Sequence, residues 1–222
     1  MKIGTDGVLL GAWAPISHPN RILDIGTGTG VIAIMLAQRT TSEVRIDAIE
    51  IDENAYQQAL ENVANCKWTN RVSPYFTSLQ EFTKDNSSQK YDLIVSNPPF
   101  FTNGSKPLET NRTNARHVDT LSHEELINCS RSLLSDEGIL SIILPATEGK
   151  RFIQMAETEK LYCKHQVEVR PKIDKPVERL LLNFSKQRPS AISQDNLTIQ
   201  FEERNDYTPK YIALTKEFYS IM

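Results

Sequence analysis

The sequence SNPPFF directly follows an apolar run that predicts a buried strand, and it contains an asparagine, two prolines and two phenylalanines. The run covers residues 91–95, and the chain continues SNPPFF. The prolines stiffen the backbone and remove two N–H donors, and Pro99 helps to fix the residue before it. Asn97 and Pro98 could then offer a side-chain and a backbone carbonyl to the two N–H groups of a planar amino nitrogen. Phe100 could stack on the attached ring, and such positioning favours attack by a nitrogen that is otherwise a poor nucleophile.

The same residues allow a purely structural interpretation. An Asn-Pro-Pro sequence is a normal turn signal, and the rings of Phe100 and Phe101 could simply anchor that turn in the core. The choice between the two interpretations depends on what else the chain places near this turn.

A glycine-rich turn is predicted after an earlier apolar run, in the sequence LDIGTGTGVI. Gly26, Gly28 and Gly30 permit positive φ and let a ligand approach the backbone. A dinucleotide fingerprint, GxGxxG, would need its third glycine where this chain has Val31. Asp24 stands two residues ahead of the first glycine, where a carboxylate would repel a pyrophosphate but suit an ammonium or sulfonium ligand.

An acidic residue ends the next predicted strand. Glu50 follows the glycine turn at the distance at which such a residue accepts both hydroxyls of a ribose. Ile51 beside it would then face an adenine ring. The alternative is an ordinary solvated carboxylate, since most glutamates are exposed.

Apolar runs and helical patterns alternate along the chain, which predicts an α/β fold with a mostly parallel sheet covered by helices on both faces. Residues 171–176 are too few for a parallel crossover, so the two strands they join must form an antiparallel hairpin. The tail should add an edge strand and a closing helix. The predicted strands are 21–25, 43–51, 71–79, 91–96, 139–146, 161–170 and 177–186, and the predicted helices are 31–39, 52–66, 123–134 and 147–159.

The composition is that of an ordinary globular protein of 222 residues, with 39% hydrophobic and 24% charged residues and a net charge of −3. A nucleic-acid partner would therefore have to be met by a local basic patch. Cys66, Cys129 and Cys163 lie far apart without metal-ligand spacing, so we expect no metal. No membrane span or signal peptide is visible. We expect a cytoplasmic, monomeric protein with no membrane partner.

LDIGTGTG, Glu50 and NPPF together resemble the class I S-adenosylmethionine-dependent methyltransferases. The resemblance implies a Rossmann-like sheet of seven strands with the seventh antiparallel. It also implies S-adenosylmethionine as cofactor, S-adenosylhomocysteine as product and Asn97 close to both cofactor and acceptor. Many members have an aspartate after the third strand that contacts the adenine amino group. Here Ser78 stands at that position, so the Ser78 hydroxyl and the Leu79 N–H are the expected adenine contacts.

The first residues, MKIGTDGVLLGAWAP, resemble the core of bacterial tRNA1(Val) (adenine-N6)-methyltransferases, as do NRTNARH and KYIALTKEFY. The resemblance implies methylation of N6 of the adenine at position 37, next to the anticodon of valine tRNA. It implies one domain, with residues 1–20 folded over the cofactor, a core at 21–187 and a C-terminal strand and helix at 188–222. Thr5 and Asp6 would line the methionine end, the alternative being a plain GTDG turn. The family usually has a further segment ahead, so Met1 could be an internal start.

The phosphate contacts would come from the long loop after NPPFF, through Lys106, Arg112, Arg116 and His117. No general base is needed, so His117 is assigned to RNA binding. A second basic cluster lies on the C-terminal hairpin and its approach: Lys160, Lys164, His165, Arg170, Lys172, Lys175 and Arg179. For both clusters the alternative is a solvated charged face.

Other functions stay open at this point, and one is disfavoured. The tetrad [DNS]PP[FYW] resembles that of enzymes acting on planar nitrogens in general, so an rRNA guanine-N2 or a release-factor glutamine N5 methyltransferase is the alternative. A nucleotide-binding module without catalysis is another. A nicotinamide dehydrogenase is disfavoured by Val31 in the glycine turn.

Overall fold

The computed structural model of the protein describes residues 4–99 and 121–219. The expectations for Phe100, Phe101, Lys106, Arg112, Arg116 and His117 lie outside these residues.

Within the described residues, eight strands form one sheet in the order β3-β2-β1-β4-β5-β7-β6-β8. Only β7 runs against its neighbours β5 and β6, so seven strands share one direction. The strands are β1 Arg21–Ile25, β2 Arg45–Glu50, β3 Val72–Phe76, β4 Tyr91–Ser96, β5 Leu134–Pro145, β6 Tyr162–Lys172, β7 Arg179–Ser185 and β8 Ser193–Gln200.

Seven α-helices and a short 3-10 helix are found in the same residues. They are α1 Thr5–Trp13, α2 Val31–Arg39, α3 Glu53–Ala64, α4 Leu79–Asp85, α5 His123–Leu133, α6 Ala146–Thr158 and α7 Pro209–Thr215, followed by the 3-10 turn Lys216–Phe218. Within this part of the chain, no helix has the length and apolarity needed to cross a bilayer.

Two hydrophobic cores lie on the two faces of the sheet. Residues of α1, α2, α3 and α7 pack on one face, and residues of α4, α5 and α6 pack on the other. Successive residues of a strand point to opposite faces, so Ile22 of β1 enters the first core and Leu23 the second. This double burial explains why the strands are almost continuously apolar.

The architecture confirms the predicted α/β class, the parallel core and the antiparallel hairpin. The sheet has one strand more than the resemblance implies, because the predicted tail strand pairs with β6 as β8. Two helices, α1 and α4, were not predicted. β5 begins at Leu134 rather than at residue 139, because an irregularity beside Tyr91 and Leu93 of β4 lets it pair earlier.

Candidate active site

A cavity of about 880 Å³ opens at the edge of the sheet where the carboxyl ends of β1, β2, β3 and β4 meet. The chain leaves β1 towards β2 on one side and β4 towards β5 on the other, so the strand order reverses here, and open α/β sheets bind ligands at such a point. The lining residues are Gly4, Gly7, Ile25, Gly26, Thr27, Gly28, Thr29, Val31, Ile32, Ile49, Glu50, Ile51, Asp52, Asn54, Ala55, Gln58, Thr77, Ser78, Leu79, Gln80, Asn97, Pro99 and Leu121.

The glycine turn after β1 forms one wall of the cavity. Gly26, Gly28 and Gly30 all have positive φ, of 67°, 57° and 81°, which other residues rarely adopt. The N–H groups of Gly26 and Thr27 both donate to the carbonyl of Ile49 at 3.0 Å, which ties the turn to β2. A Cβ placed on Gly26 would meet no atom within 4 Å, so the space on the cavity side of the turn is open.

Asp24 lies behind this turn and does not line the cavity. Its Oδ2 accepts hydrogen bonds from the Thr27 hydroxyl at 2.6 Å and from the Ala33 N–H at 3.1 Å. Its Oδ1 is buried and has no partner among the described residues. Burial, together with the nearby Glu50 carboxylate, raises the pKa of Asp24 to about 7. The structure gives Asp24 a role in holding the turn, and direct contact with a ligand stays a prediction.

Glu50 projects its carboxylate onto the cavity from the end of β2. One oxygen accepts the Gly28 N–H at 2.8 Å, and the other accepts the N–H groups of Ile51 and Asp52 at 2.8 and 2.9 Å. These three bonds fix the side chain and leave acceptor capacity on a group with about four lone-pair sites. The Ile51 side chain is exposed and also lines the cavity, as expected for a residue that packs on a flat ring.

Ser78 and Leu79 line the cavity after β3, where the resemblance implies an adenine contact. Ser78 is the N-cap of α4 in a capping box: its Oγ accepts the Glu81 N–H at 3.2 Å and donates to Glu81 Oε2 at 3.0 Å. Its hydroxyl proton is therefore already used. The N–H groups of a first helical turn have no partner within the helix, and that of Leu79 is one of them.

Asn97 and Pro99 line the cavity directly after β4. The Ser96 hydroxyl donates to the carbonyl of Ile25 at 2.9 Å and so links the end of β4 to the end of β1. Asn97 is half-buried, Pro98 is buried and Pro99 is exposed. The structure thus brings this tetrad's first residues to the same cavity as the glycine turn and Glu50. The catalytic role of these residues stays a prediction.

Helix α1 covers the cavity from the N-terminal side. Gly4 and Gly7 line it, and a Cβ on Gly7 would lie 4.0 Å from the Asn97 Nδ2. Thr5 is exposed and is not a lining residue, and Asp6 forms an ion pair with Arg179 at 2.8 Å. The GTDG sequence therefore starts a helix, and neither Thr5 nor Asp6 lines the cavity. A cofactor contact from Thr5 stays a prediction.

Several lining residues were not predicted from the sequence. Asn54 and Gln58 reach the cavity from α3, Gln80 from α4, and Leu121 precedes α5. Asn54 and Gln80 each follow the carboxyl end of a strand by four residues, which is the signal that could have found them. Gln58, one helical turn beyond Asn54, and Leu121 carry no such signal. Pro99 and Leu121, the described residues on either side of 100–120, both line this cavity.

Comparisons with known proteins agree with this geometry. A family model, the methyltransferase small domain, matches residues 5–166. A tRNA1(Val) (adenine(37)-N6)-methyltransferase from Trichodesmium erythraeum is 46% identical over 99% of this chain and 91% of its own length. Relatives with the same name from Pectobacterium carotovorum and Flavobacterium psychrophilum are 43% and 48% identical, over 100% and 99% of this chain and 88% and 92% of their own lengths.

Solved structures share the fold. A protein described as a predicted O-methyltransferase from Agrobacterium tumefaciens superposes with a TM-score of 0.72 at 15% identity, covering 96% of both chains. Fibrillarin from Aeropyrum pernix, solved with bound S-adenosyl-L-methionine, gives a TM-score of 0.54 at 16% identity over 74% of this chain and 66% of its own. At these identities the likeness establishes the fold alone. With the family model and the close relatives, however, the assignment is direct: the chain belongs to the methyltransferase small domain family and groups there with the tRNA1(Val) (adenine(37)-N6)-methyltransferases.

Proposed function

We propose that the protein transfers a methyl group from S-adenosylmethionine to N6 of an adenine in tRNA, at position 37 of valine tRNA. The observation that carries this proposal is the placement of Asn97 and Pro99 on the same cavity as the glycine turn and Glu50. Relatives that cover almost the whole chain bear the corresponding name. The same names do not favour the guanine-N2 or glutamine alternatives.

The cavity residues fit the proposed cofactor. Glu50 offers a fixed carboxylate, and its three hydrogen bonds from backbone N–H groups leave about one lone-pair site for a ribose hydroxyl. The second hydroxyl would share a carboxylate oxygen with one of those N–H groups. Ile51 offers an exposed apolar surface for the adenine. The open space before Gly26 leaves room for the aminocarboxypropyl chain to run along the turn towards Asn97. S-adenosylmethionine, when bound, supplies an electrophilic methyl group on a sulfonium.

The acceptor nitrogen would be held by the tetrad after β4. Its lone pair is delocalised into the base, so the protein must favour the geometry in which the pair is free to attack. The Asn97 side-chain carbonyl and the Pro98 backbone carbonyl would each accept one N–H of the amino group. Because Pro98 is buried and Ser96 anchors the strand end, these acceptors need little reorganisation.

Contacts to the rest of the tRNA would come from residues 100–120. We propose that Phe100 stacks on the target base and that Lys106, Arg112, Arg116 and His117 meet the phosphates. A base in a loop is already accessible, so the enzyme would not have to unstack a helix. We further propose a single-domain, cytoplasmic monomer that needs no metal ion.

The test is methyl transfer to unmodified valine tRNA with nucleoside analysis of the product. Asn97→Ala should lower the turnover rate about a hundredfold, the typical cost of one preorganised hydrogen bond to a reacting group. Asn54→Ala is the matched control, because Asn54 lines the cavity from α3, away from the tetrad. Its turnover should stay within a few-fold of wild type.

Wild-type turnover in the Asn97 variant would contradict the proposed clamp on the amino group. Methylation found on guanine or on a glutamine amide would replace the proposed acceptor. If calorimetry detected no binding of S-adenosylmethionine or S-adenosylhomocysteine, a binding module without catalysis would be the better description.

A further inference from the structure

One side chain on the cavity wall has an orientation fixed by a helix on the same face of the sheet. Gln80, the second residue of α4, lines the cavity, and its Nε2 donates to Glu125 Oε1 of α5 at 2.8 Å. An amide has a donor end and an acceptor end, so a bond at one end decides what the other presents. Within the described residues, no donor is bonded to Gln80 Oε1.

An ionised Glu125 can only accept hydrogen bonds, and this fixes which end of the Gln80 amide faces it. Its Oε2 accepts the Ser122 N–H at 2.9 Å and the Ser122 hydroxyl at 2.7 Å, in the capping box of α5. These hydrogen bonds and that from Gln80 hold the pKa of Glu125 below its usual value, so it is ionised at neutral pH. Gln80 must therefore turn its Nε2 to Glu125 and leave Oε1 as a side-chain acceptor at the cavity.

The neighbouring hydroxyl offers a weaker alternative as an acceptor. The Oγ of Ser78 already accepts the Glu81 N–H and donates to the Glu81 carboxylate. Ser78 thus spends its only donor and one of its two acceptor sites on the start of α4, although it stands where an adenine-binding aspartate was expected. Of the two polar side chains that line the cavity at the start of α4, Gln80 is the one whose acceptor oxygen has no bonded donor among the described residues.

The order of the strands brings the purine end of the cofactor close to α4. Asn97 follows β4, the glycine turn follows β1, Glu50 ends β2, and α4 follows β3, in the spatial order β3-β2-β1-β4. A ligand with its reacting group at Asn97 and its ribose at Glu50 extends its base towards the end of β3. Adenine presents an amino donor at C6, whereas hypoxanthine presents a carbonyl acceptor there.

We propose that Gln80 is a specificity-determining residue for the cofactor, accepting a hydrogen bond from the adenine amino group through Oε1, and that Glu125 is its positioning residue. This inference rests on the proposed use of S-adenosylmethionine. It predicts that the protein distinguishes an adenine from a hypoxanthine cofactor, because the latter would set two acceptors against each other.

Calorimetry with S-adenosylhomocysteine and S-inosylhomocysteine tests the proposal without any methyl transfer. Wild type should bind the adenosine compound at least about tenfold more tightly. Gln80→Met keeps the volume and removes the amide, so it should lower that ratio about fivefold or more. Gln58→Met is the matched control, because Gln58 also lines the cavity and also has its Nε2 bonded, to Glu61 and Asn62, but it belongs to α3, which follows β2 rather than β3. Its ratio should stay at the wild-type value.

Glu125→Gln gives a sharper readout. The Ser122 N–H and hydroxyl would select the oxygen of the new amide, which leaves its NH2 facing Gln80. Gln80 would then turn its own oxygen to that NH2 and present Nε2 to the cavity. The preference should shift towards S-inosylhomocysteine, an effect that general loosening of α5 would not produce.

Equal weakening of both ligands, or an unchanged ratio in Gln80→Met and Glu125→Gln, would overturn the inference while leaving the proposed function intact. Failure of wild type to bind S-adenosylhomocysteine at all would overturn the proposed function and this inference together.

Discussion

The buried carboxyl of Asp24 should make the folding stability of the protein depend on pH. Its pKa is raised from an ordinary 3.8 to about 7, first by burial and then by Glu50, against the opposing hydrogen bonds from Thr27 and Ala33. Between these values the folded state keeps a proton that the unfolded state has lost. The contribution of Asp24 to the free energy of unfolding must therefore fall as the pH rises from about 4 to about 7.

Asp24→Asn removes this titration while keeping the shape of the protonated acid. The free energy of unfolding of the variant minus that of wild type should increase from about pH 4 to pH 7 and then level off, as measured by urea denaturation. Asp136→Asn is the control, because the Asp136 side chain is fully exposed, and its difference from wild type should show no such rise. Parallel profiles for Asp24→Asn and wild type would mean that folding does not raise the pKa of Asp24.

The residues of the cavity were predictable to the extent that each has its chemistry in its own sequence neighbourhood. Gly26, Glu50 and Asn97 each follow or end an apolar run, and their residue types alone were enough to single them out as candidate ligand contacts. Gln80 could not be found in this manner, since its acceptor is oriented by Glu125, 45 residues away. The sequence singles out Asp24 as a residue facing the ligand, but its carboxyl lies behind the glycine turn, because Thr27 and Ala33 hold it there.

At the scale of elements, the predictions succeeded where a long pattern had one polar face, as in α3 and α5, or where a glycine turn marked the start of a helix, as in α2. α2 has the predicted ends, 31–39, and α3 and α5 differ from theirs by a few residues. α1 was missed because Val8–Ala12 are all buried, so the helix has no polar face to give a period. α4 was missed because seven residues are too few to show one.

Gly138 lies in the irregular first part of β5, and its close neighbours predict that a larger residue there destabilises the protein. A Cβ on Gly138 would lie 2.7 Å from the Tyr91 carbonyl oxygen and 2.9 Å from Leu134 Cδ2, and the backbone atom cannot move cheaply. Gly138→Ala should lower the free energy of unfolding by about 1–3 kcal/mol, as overpacking does. The measurement is chemical denaturation with circular dichroism detection.

Gly11→Ala in α1 is the matched comparison. Its Cβ would also meet close atoms, with Met35 Sδ at 2.8 Å, but these belong to a flexible side chain that can adjust. Alanine also favours the helix over glycine by about 1 kcal/mol, so the net effect should lie within about 1 kcal/mol of zero. Equal destabilisation by both substitutions would contradict the distinction between backbone and side-chain neighbours.

For the whole molecule, the first and last described α-helices, α1 and α7, pack in the same core on one face of the sheet. α1 packs with α2 and α7 in a core that includes Leu10, Leu36 and Tyr211. The Gln38 side chain adds a hydrogen bond to the carbonyl of Glu217, just beyond α7. The tail thus supports the helix that brings Gly7 beside Asn97, an arrangement no local pattern could have predicted because it joins the two ends of the chain.

The overall charge of −3 implies that tRNA binding depends on a few local cations. In that case the logarithm of the tRNA association constant should fall linearly with the logarithm of the salt concentration, and each lost phosphate contact should reduce the slope by about 1. Arg116→Ala should show this reduction in fluorescence titrations with valine tRNA, while calorimetric binding of S-adenosylhomocysteine stays unchanged. Lys84→Ala changes the net charge equally, but Lys84 lies in the last turn of α4, towards the opposite edge of the sheet, and its slope should match wild type. An equal loss of slope in both variants would mean that overall charge, rather than the loop after the tetrad, governs the encounter with RNA.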